Sequence, residues 1–412
     1  MIRIVVWSLA AAWLTAVTAL AAEMSIEQVT RRLDTGQPTR IVCFGDSITG
    51  AYYHTGGQRA WCDMLGLALQ KAYPQADVEM INAGISGHTT VNALARIEND
   101  VLAKQPHLVV VMFGMNDVTR VPLAEFRENT RTIASRCLDS GAAVVLCTPN
   151  SVYDNAARPN DRLAEFSQAV RDVATALKLP LVDCFAQWKQ LRADDPTRWM
   201  LMMSDTIHPN MNGHRRFAEI MAKTISGREV SLNDAAPLSD ALHHTFDQLQ
   251  SQKSVKLIAS APYDEIFLAA LREHFPDAQI ELTKWPVARQ TLAEISEWAK
   301  QIRGLQPDLV VPAIPADVSS PDNESFIRDY EWVLNWSFQF AGRPWDVVPV
   351  VPSVANNLPA ESQTFVDLAR QIAIGKDVRF IDRSPDDARS AREIVHAWIA
   401  EQHRSWQAAR GE

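Results

Sequence analysis

The sequence predicts an α/β fold in which helices cover both faces of a parallel sheet. Short apolar runs alternate with helical patterns five times between residues 39 and 225. The run at residues 108–113 is continuously apolar, which is typical of a central parallel strand covered on both faces. A second series of similar elements follows residue 254, so the sequence also predicts that this fold is duplicated.

The elements of the first series can be placed in chain order from periodicity and turn residues. Right-handed crossovers between parallel strands put every strand-to-helix loop at the same edge of the sheet. The loops after the first three strands should therefore converge there. Strands are expected at residues 40–44, 77–81, 108–113, 143–147 and 180–183, and helices at 24–34, 61–73, 91–104, 123–139, 162–177 and 212–225.

Length and composition limit the class of protein. A chain of 412 residues exceeds one typical hydrophobic core, so two domains are expected. The apolar content of 47% and the charged content of 22% are ordinary for a globular protein. The net charge of −9 argues against nucleic acid or an anionic membrane as a partner, since both favour basic surfaces. The oligomeric state is left open.

The N-terminus has the pattern of a secretory signal peptide. Arg3 precedes an apolar stretch at residues 4–20, and Ala19 and Ala21 form a small-x-small cleavage site. The sequence therefore predicts a signal peptide at residues 1–21 and a secreted or periplasmic protein. The alternative is an uncleaved anchor, but the apolar run is short for a membrane span. No later segment is long and apolar enough to be one.

The five cysteines do not indicate a disulfide framework or a metal site. An odd count leaves at least one cysteine unpaired. Cys43, Cys147 and Cys184 fall on predicted buried strands or at their ends, where cysteine is usually a small apolar residue. The sequence has no Cys-x-x-Cys motif and no His/Cys cluster with zinc spacing, so these residues do not predict a zinc site.

Four loops of the first series contain the groups that acyl transfer needs. Ser47 follows the first strand and is the candidate nucleophile, which requires a base to remove its proton. His208 is the candidate base, and Asp205 could accept the hydrogen bond of its second ring nitrogen. The oxyanion donors would be the backbone N–H groups of Ser47 and Gly87 together with the Asn116 amide. Gly84 is a rival for the second donor, and each residue could instead be an ordinary turn or cap residue.

These motifs resemble those of the SGNH hydrolases, also called GDSL esterases or lipases. The segments at residues 45–49, 82–87, 114–117 and 205–208 are similar to the four blocks of that family and occur in the same order. The resemblance covers roughly residues 39–225. It implies a flavodoxin-like three-layer αβα sandwich with a parallel five-stranded sheet, no metal and no cofactor, and Gly87 rather than Gly84 as the oxyanion donor. Thr49 stands where the α/β-hydrolase elbow would need glycine.

The second half repeats the order of the first but not its candidate catalytic residues. The Gln-Pro-x-Leu-Val-Val segment at residues 105–110 recurs at residues 306–311, and other matches follow in the same order. Tyr263 stands opposite Ser47, Arg289 opposite Gly87, Asp317 opposite Asn116 and Ser384 opposite His208. We therefore predict a catalytic domain at residues 24–227, a linker with a helix at 228–254 and a catalytically degenerate copy of the domain at 255–403.

The favoured function is hydrolysis of short-acyl esters, such as acetyl esters, of carbohydrate or other polar substrates. The loop at residues 51–57 is both aromatic and polar, and Arg59 and Trp61 follow it, which would suit stacking on sugar rings. Packing within the loop is the alternative. A lysophospholipase or thioesterase with the same triad is a second hypothesis, and a non-catalytic glycan-binding or scaffold protein is a third. Tryptophans in the second half could bind glycan, although buried packing is their commoner use.

Overall fold

The computed structural model describes residues 24–238, 241–359 and 362–411, so the predicted signal peptide lies outside the described residues. Within these ranges nine parallel strands form two sheets. The first sheet has the order β2-β1-β3-β4-β5, which confirms the predicted five-stranded parallel sheet. Its strands are β1 Thr39–Gly45, β2 Val78–Gly84, β3 Leu108–Met112, β4 Ala143–Cys147 and β5 Leu181–Val182.

Helices cover both faces of this sheet, which gives the predicted three layers. One face is covered by the pair α2 and α9, and the other by α3, α5 and α6, which pack against one another in sequence. All five residues of β3 are buried, as expected of the central strand. The helices of this half are α1 Ile26–Asp34, α2 Trp61–Ala72, α3 Thr90–Asp100, α4 Asp117–Arg120, α5 Leu123–Asp139, α6 Asn160–Leu177, α7 Cys184–Asp194, α8 Pro196–Met200 and α9 Met211–Ser226.

The second half forms its own parallel sheet with the order β7-β6-β8-β9. Alternate residues of its strands enter two separate cores, so Ile258 and Val310 face one layer of helices while Leu257 and Leu309 face the other. The strands are β6 Val255–Ala259, β7 Ile280–Lys284, β8 Leu309–Val311 and β9 Asp346–Val347, and the helices are α10 His243–Gln250, α11 Tyr263–His274, α12 Leu292–Ala299, α13 Ile302–Leu305, α14 Asn323–Ser337, α15 Gln363–Ile374 and α16 Ala391–Arg410.

Three expectations for the second half need correction. Among the described residues its sheet has four strands rather than five, since the chain beyond β9 contributes isolated bridges at Val350 and Ile381 instead of a fifth strand. The helix expected at residues 238–250 of the linker begins at His243. The last helix continues to Arg410, seven residues beyond the predicted boundary at 403, because its apolar positions Ile399 and Trp406 stay buried.

The two halves share a packed interface centred on α14. The core beneath this helix takes in Tyr53, Met200 and Leu201 of the first half. A buried ion pair also crosses the interface: the Arg59 guanidinium donates two hydrogen bonds, of 2.9 and 2.7 Å, to the Asp377 carboxylate. Because the side chains of both residues are almost fully buried, this pair ties the loop after β1 to the second half.

All five cysteines lie in the described residues, and each is buried and outside any disulfide. Within the same ranges, none of the helices combines the length and the apolar character that crossing a membrane requires.

Candidate active site

Ser47 lies just beyond β1, where the chain leaves the sheet in a tight turn. Gly45 ends the strand, and a Cβ there would lie 1.9 Å from Thr49 Oγ1 and 2.7 Å from the Met112 carbonyl, so the turn requires glycine. Asp46 accepts a hydrogen bond from the Ile48 N–H at 2.9 Å and stabilises the turn. The Ser47 side chain is held at the carboxyl edge of the sheet with 7% of its surface exposed.

The loop before α9 brings Asp205 and His208 to Ser47. Ser47 Oγ lies 2.9 Å from His208 Nε2, and His208 Nδ1 lies 2.8 Å from Asp205 Oδ2. The other oxygen of Asp205 accepts the backbone N–H groups of Ile207 and His208, each at 2.8 Å, so the carboxylate also shapes the loop that carries the imidazole. Asn210 then caps α9 by accepting the N–H groups of its first turn.

The electrostatics of this chain of contacts favour a charged carboxylate beside a basic imidazole. Burial would lower the pKa of His208, but the Asp205 charge and hydrogen bond outweigh it, so this pKa is raised above its ordinary value. Burial likewise opposes ionisation of Asp205, yet His208 and the two backbone N–H groups hold the pKa of Asp205 well below its usual range. A hydroxyl, an imidazole and a carboxylate in this order can pass a proton from serine to imidazole.

The backbone N–H groups near Ser47 distinguish Gly87 from Gly84. Within the described residues, no acceptor is found for the N–H of Ser47 or of Gly87. The N–H of Gly84, in contrast, donates to Asn82 Oδ1 at 2.9 Å. Gly87 has φ of +76°, a conformation that favours glycine, and it follows the end of β2, which pairs with the end of β1. Among the described residues, the N–H of Gly87 therefore has no acceptor that would compete with an oxyanion, whereas the N–H of Gly84 has one.

The predicted third donor, Asn116, is also at this edge. Its Nδ2 donates to the His88 carbonyl at 3.0 Å and lies 3.5 Å from Asp46 Oδ2. Its Oδ1 faces the Arg158 guanidinium at 3.4 Å, and Arg158 Nε is fixed on the Met115 carbonyl. Asn116 thus connects the turn of Ser47 to the loop of Gly87, and its amide already has an acceptor within the protein.

Two residues at the site were not singled out individually from the sequence. Tyr53 donates its hydroxyl to Asp205 Oδ2 at 2.8 Å, the oxygen that also contacts His208. His54 lies face to face with His208, with ring centroids 4.7 Å apart and planes 4° apart, and its Nε2 is 3.1 Å from the Ser47 carbonyl oxygen. Burial keeps the pKa of His54 well below its ordinary value, so His54 is neutral. The aromatic, polar character of the loop was the available signal for both.

The sugar-stacking hypothesis for this loop needs revision. Trp61 is fully buried at the start of α2, and Arg59 is occupied by its ion pair with Asp377. The Tyr53 ring stacks on Trp332 of the second half, with centroids 6.3 Å apart. Packing is therefore the main use of these three side chains, although Tyr52 and Tyr53 are both partly exposed.

The equivalent loops of the second half do not reproduce the arrangement. Tyr263 is buried at the start of α11, and burial raises its pKa to about 12. Arg289 and Asp317 are exposed. In the parts of the chain that the structure describes, no group of three or more His, Cys, Asp or Glu side chains is arranged to hold a metal ion.

Comparison with known proteins identifies the first half. Residues 43–216 match the model of the GDSL-like lipase/acylhydrolase family. These residues form a GDSL-like lipase/acylhydrolase domain. The chain therefore contains a carboxylic ester hydrolase domain of this family.

Several relatives resemble the GDSL-like half. An acetylxylan esterase of Geobacillus stearothermophilus is 28% identical over 214 residues, which are 46% of this chain and 95% of the relative. Thioesterase 1/protease 1/lysophospholipase L1 of Escherichia coli K12 is 28% identical over 186 residues, 45% of this chain and 82% of that protein. The crystal structure of a lipase/acylhydrolase from Enterococcus faecalis has 27% identity and a TM-score of 0.41 and covers 47% of this chain and 97% of that one.

Proposed function

We propose that Ser47, His208 and Asp205 form the catalytic triad of an esterase that removes short acyl groups, acetyl foremost, from carbohydrate or other polar substrates. The observation that carries the proposal is the continuous contact from Ser47 Oγ through the His208 ring to the ionised Asp205 carboxylate. Such a contact activates a hydroxyl that would otherwise be a weak nucleophile.

The reaction follows from this geometry. Ser47 Oγ attacks the ester carbonyl carbon while its proton passes to His208 Nε2. The N–H groups of Ser47 and Gly87, with the Asn116 amide, would stabilise the oxyanion. Collapse of the tetrahedral intermediate breaks the bond to the alcohol, which leaves with the proton from His208. Water then attacks the acyl-enzyme with His208 as base, releasing the carboxylic acid and restoring Ser47.

The surroundings of the Gly87 loop support a polar leaving group. Arg120 donates to the Gly87 carbonyl at 2.7 Å, and Arg158 lies at Asn116, so two guanidinium groups flank the site. Phe340 of the second half is 46% exposed, and its ring centroid is 5.2 Å from that of Tyr52, whose hydroxyl accepts the Ser86 N–H. An exposed aromatic face beside polar groups suits a sugar ring. The similarity to an acetylxylan esterase agrees with this choice.

A labelling experiment tests the triad. We expect a fluorophosphonate to label the folded protein on Ser47, and Ser47→Ala to lose both the label and at least about a thousandfold in kcat on para-nitrophenyl acetate. The matched control is Tyr263→Phe at the equivalent place of the second half, which should leave both unchanged. Labelling of Ser47→Ala at the wild-type level would refute the triad.

The acyl and alcohol preferences need a separate measurement. We expect kcat/KM to fall as the acyl chain of para-nitrophenyl esters is lengthened, and acetic acid to be released from acetylated xylo-oligosaccharides. Phe340→Ala should raise KM for the oligosaccharide but not for the aryl ester. Rising activity with chain length, or hydrolysis of lysophospholipid or acyl thioester in preference to acetyl sugar, would favour the lysophospholipase or thioesterase alternative.

Secretion is proposed on the sequence pattern at residues 1–21 alone. Expression of the full chain in a bacterium, followed by fractionation and N-terminal sequencing, tests it. A mature N-terminus near Ala22 in the periplasm or medium is expected, and an intact N-terminus in the membrane fraction would indicate the uncleaved anchor.

A further inference from the structure

A buried polar cluster of the second half holds both ends of the loop that carries Asp205 and His208. Lys376 Nζ donates to Ser204 Oγ at 2.8 Å and to Asn335 Oδ1 at 2.7 Å, and it forms an ion pair with Glu331. Asn335 Nδ2 donates to the Ser204 carbonyl at 2.9 Å. The residue immediately before Asp205 is therefore fixed through its backbone and its side chain.

The same cluster reaches the residue that follows the loop. Glu331 Oε1 accepts from Asn210 Nδ2 at 2.9 Å, and Asn210 caps α9 two positions after His208. The side chains of Lys376 and Glu331 have 0% and 2% of their surface exposed. Burying this ion pair costs desolvation free energy, which apolar side chains at the same positions would not cost. Stability alone therefore does not account for the presence of the pair.

A second route from the second half reaches Asp205 itself. The Tyr53 hydroxyl donates to Asp205 Oδ2, while the Tyr53 ring stacks on Trp332 and the Tyr53 N–H donates to the Phe340 carbonyl at 3.1 Å. The Arg303 guanidinium lies 5.1 Å from the centroid of the same ring. The contacts that Tyr53 makes with the second half come from α13, α14 and the segment after α14.

We infer that the second half is a positioning element of the triad, acting on Asp205 and His208 through Lys376 and Asn335 at Ser204 and through Trp332 at Tyr53. None of these groups touches the reacting atoms, so they are positioning residues and not catalytic residues. The inference rests on the proposed triad. It gives a role to a domain whose own loops hold no equivalent of the triad in the described residues.

The charged and titratable groups around His208 determine how the pH–activity profile should respond to a change at Tyr53. Asp205 and Asp46 favour the imidazolium, while Arg158 and the stacked His54 disfavour it. Lys376 and Glu331 face Asp205 from the second half. Tyr53 disperses the Asp205 charge by donating to the oxygen that His208 contacts. Loss of that hydroxyl should make Asp205 a stronger acceptor and move the acid limb of the pH–activity profile to higher pH.

The first test is a double-mutant cycle on the Tyr53 route. Tyr53→Phe is expected to lower kcat on para-nitrophenyl acetate by about tenfold with little change in KM, and to shift the acid limb upward. Trp332→Leu should lower kcat by a smaller factor, and this loss should vanish in the Tyr53→Phe background because Trp332 acts through that hydroxyl. The control is Tyr330→Phe, which removes a buried hydroxyl of α14 that has no hydrogen-bond partner among the described residues.

The second test concerns the buried ion pair. Lys376→Met alone would leave Glu331 buried without its counter-charge and could unfold the protein, so the Lys376→Met/Glu331→Gln double variant is used. We expect this variant to fold, with kcat reduced about tenfold to a hundredfold and KM nearly unchanged. The single variant Lys376→Arg keeps the charge, so its kcat should lie between that of the double variant and that of wild type.

The outcomes separate this inference from the proposed function. If wild-type protein hydrolyses the ester and is labelled on Ser47, but all these folded variants keep wild-type kcat and pH profile, the positioning role is refuted and the triad stands. Additive effects of Tyr53→Phe and Trp332→Leu would also overturn the Tyr53 route. If Ser47→Ala keeps full activity, the triad itself fails.

Discussion

The two sheets pair their strands in equivalent order and register, yet their loops differ. Thr39 pairs with Val78 in the first sheet, as Val255 pairs with Ile280 in the second. The turns before β3 and β8 also match: Gln105 and Gln306 both have positive φ, of 52° and 49°. This agreement is what a duplicated domain would produce, and the duplication stays a prediction. The comparison teaches that strand pairing constrains the scaffold, while the loops at its edge determine the chemistry.

The differences are concentrated where the first half has its reactive groups. Ser47 and Gly87 occupy loop positions that Tyr263 and Arg289 occupy in the second half. The second half instead contributes buried polar groups of α14 and of the residues after α15, which point at the first half rather than at its own sheet edge. The proposed triad thus lies in the first half, and polar groups of the second half contact the loop that carries Asp205 and His208.

The variant with the largest expected effect tests whether the two halves unfold independently. Asp377→Asn leaves the buried Arg59 guanidinium without its counter-charge and should lower the free energy of unfolding by about 3–5 kcal/mol. Urea denaturation, followed by tryptophan fluorescence and by esterase activity, measures it. We expect the two probes to change together.

The control for this variant is Asp367→Asn, whose ion pair with Arg370 on α15 is exposed at the carboxylate and should contribute less than about 1 kcal/mol. Activity that survives a first fluorescence transition in Asp377→Asn would show that the halves unfold independently, contrary to our expectation.

A smaller effect, on kcat, is expected for substitutions in the loops that follow β3 and β8. Asn116→Ala should lower kcat about 10²–10³-fold, because an oxyanion donor is lost, with KM little changed. The equivalent Asp317→Ala should leave kcat unchanged because Asp317 is exposed and takes no part in the hydrogen bonds of the triad. Steady-state kinetics on para-nitrophenyl acetate measures both. Equal losses in the two variants would contradict the division of roles.

Acid should destabilise the protein mainly through two buried histidines of the first half. Burial lowers the pKa of His214 to about 3 and that of His54 well below its ordinary value. In the unfolded chain each histidine takes up a proton near pH 6.5, so the unfolded state binds more protons than the folded state as the pH falls below that value. The free energy of unfolding should therefore drop, by at most about 1.4 kcal/mol per pH unit for each histidine.

Urea titrations at several pH values check this dependence. His214→Gln, which keeps an acceptor for the Trp61 N–H, should make it shallower. His274→Gln in the second half should change it less, because His274 is more exposed, although burial also lowers its pKa. If the free energy of unfolding fell more steeply with decreasing pH in His214→Gln than in wild type, this explanation would be wrong.

The smallest effect concerns the backbone at the equivalent positions 87 and 289. Both residues have positive φ, of 76° for Gly87 and 61° for Arg289. Arg289→Gly should stabilise the protein slightly, by about 0.5 kcal/mol, since relief of strain exceeds the added entropy of the unfolded chain. Gly87→Ala should destabilise it by about 1 kcal/mol through strain alone, because a Cβ there meets no atom closer than the Arg120 guanidinium at 3.9 Å.

Thermal denaturation with activity assays measures both variants. The Ala variant keeps the N–H at position 87, so its kcat should stay within a few-fold of wild type. A strong loss of stability on Arg289→Gly would show that the two loops are not equivalent.

The sequence predicts those features that depend on neighbouring residues or on the right-handed connection between parallel strands. The apolar run of β3, Gly45 before Ser47 and the three-residue spacing of Asp205 and His208 can all be recognised along the chain. The resemblance to a known family added the choice of Gly87 over Gly84, which stays a prediction. The expected fifth strand of the second sheet is absent from the described residues because the chain after β9 pairs only through isolated bridges.

What the sequence could not predict lies between the halves. Lys376 and Ser204 are 172 positions apart, and Asn335 and Ser204 are 131 apart, with no motif marking the contacts. Tyr53 was recognised as part of an aromatic loop, but its hydroxyl bond to Asp205 depends on how α14 packs against the first half. Such contacts come from tertiary packing and have no periodic signal.

The Lys376–Glu331 pair also limits which substitutions this sequence can accept during evolution. Losing one charge alone would leave the other unpaired in the interior, so the two positions must change nearly together or not at all. Among relatives that share both halves, we expect Ser204, Asn335, Glu331 and Lys376 to vary as a block, even where the surrounding helices have drifted. Such covariation would indicate that the second half has been retained for the positioning role inferred above.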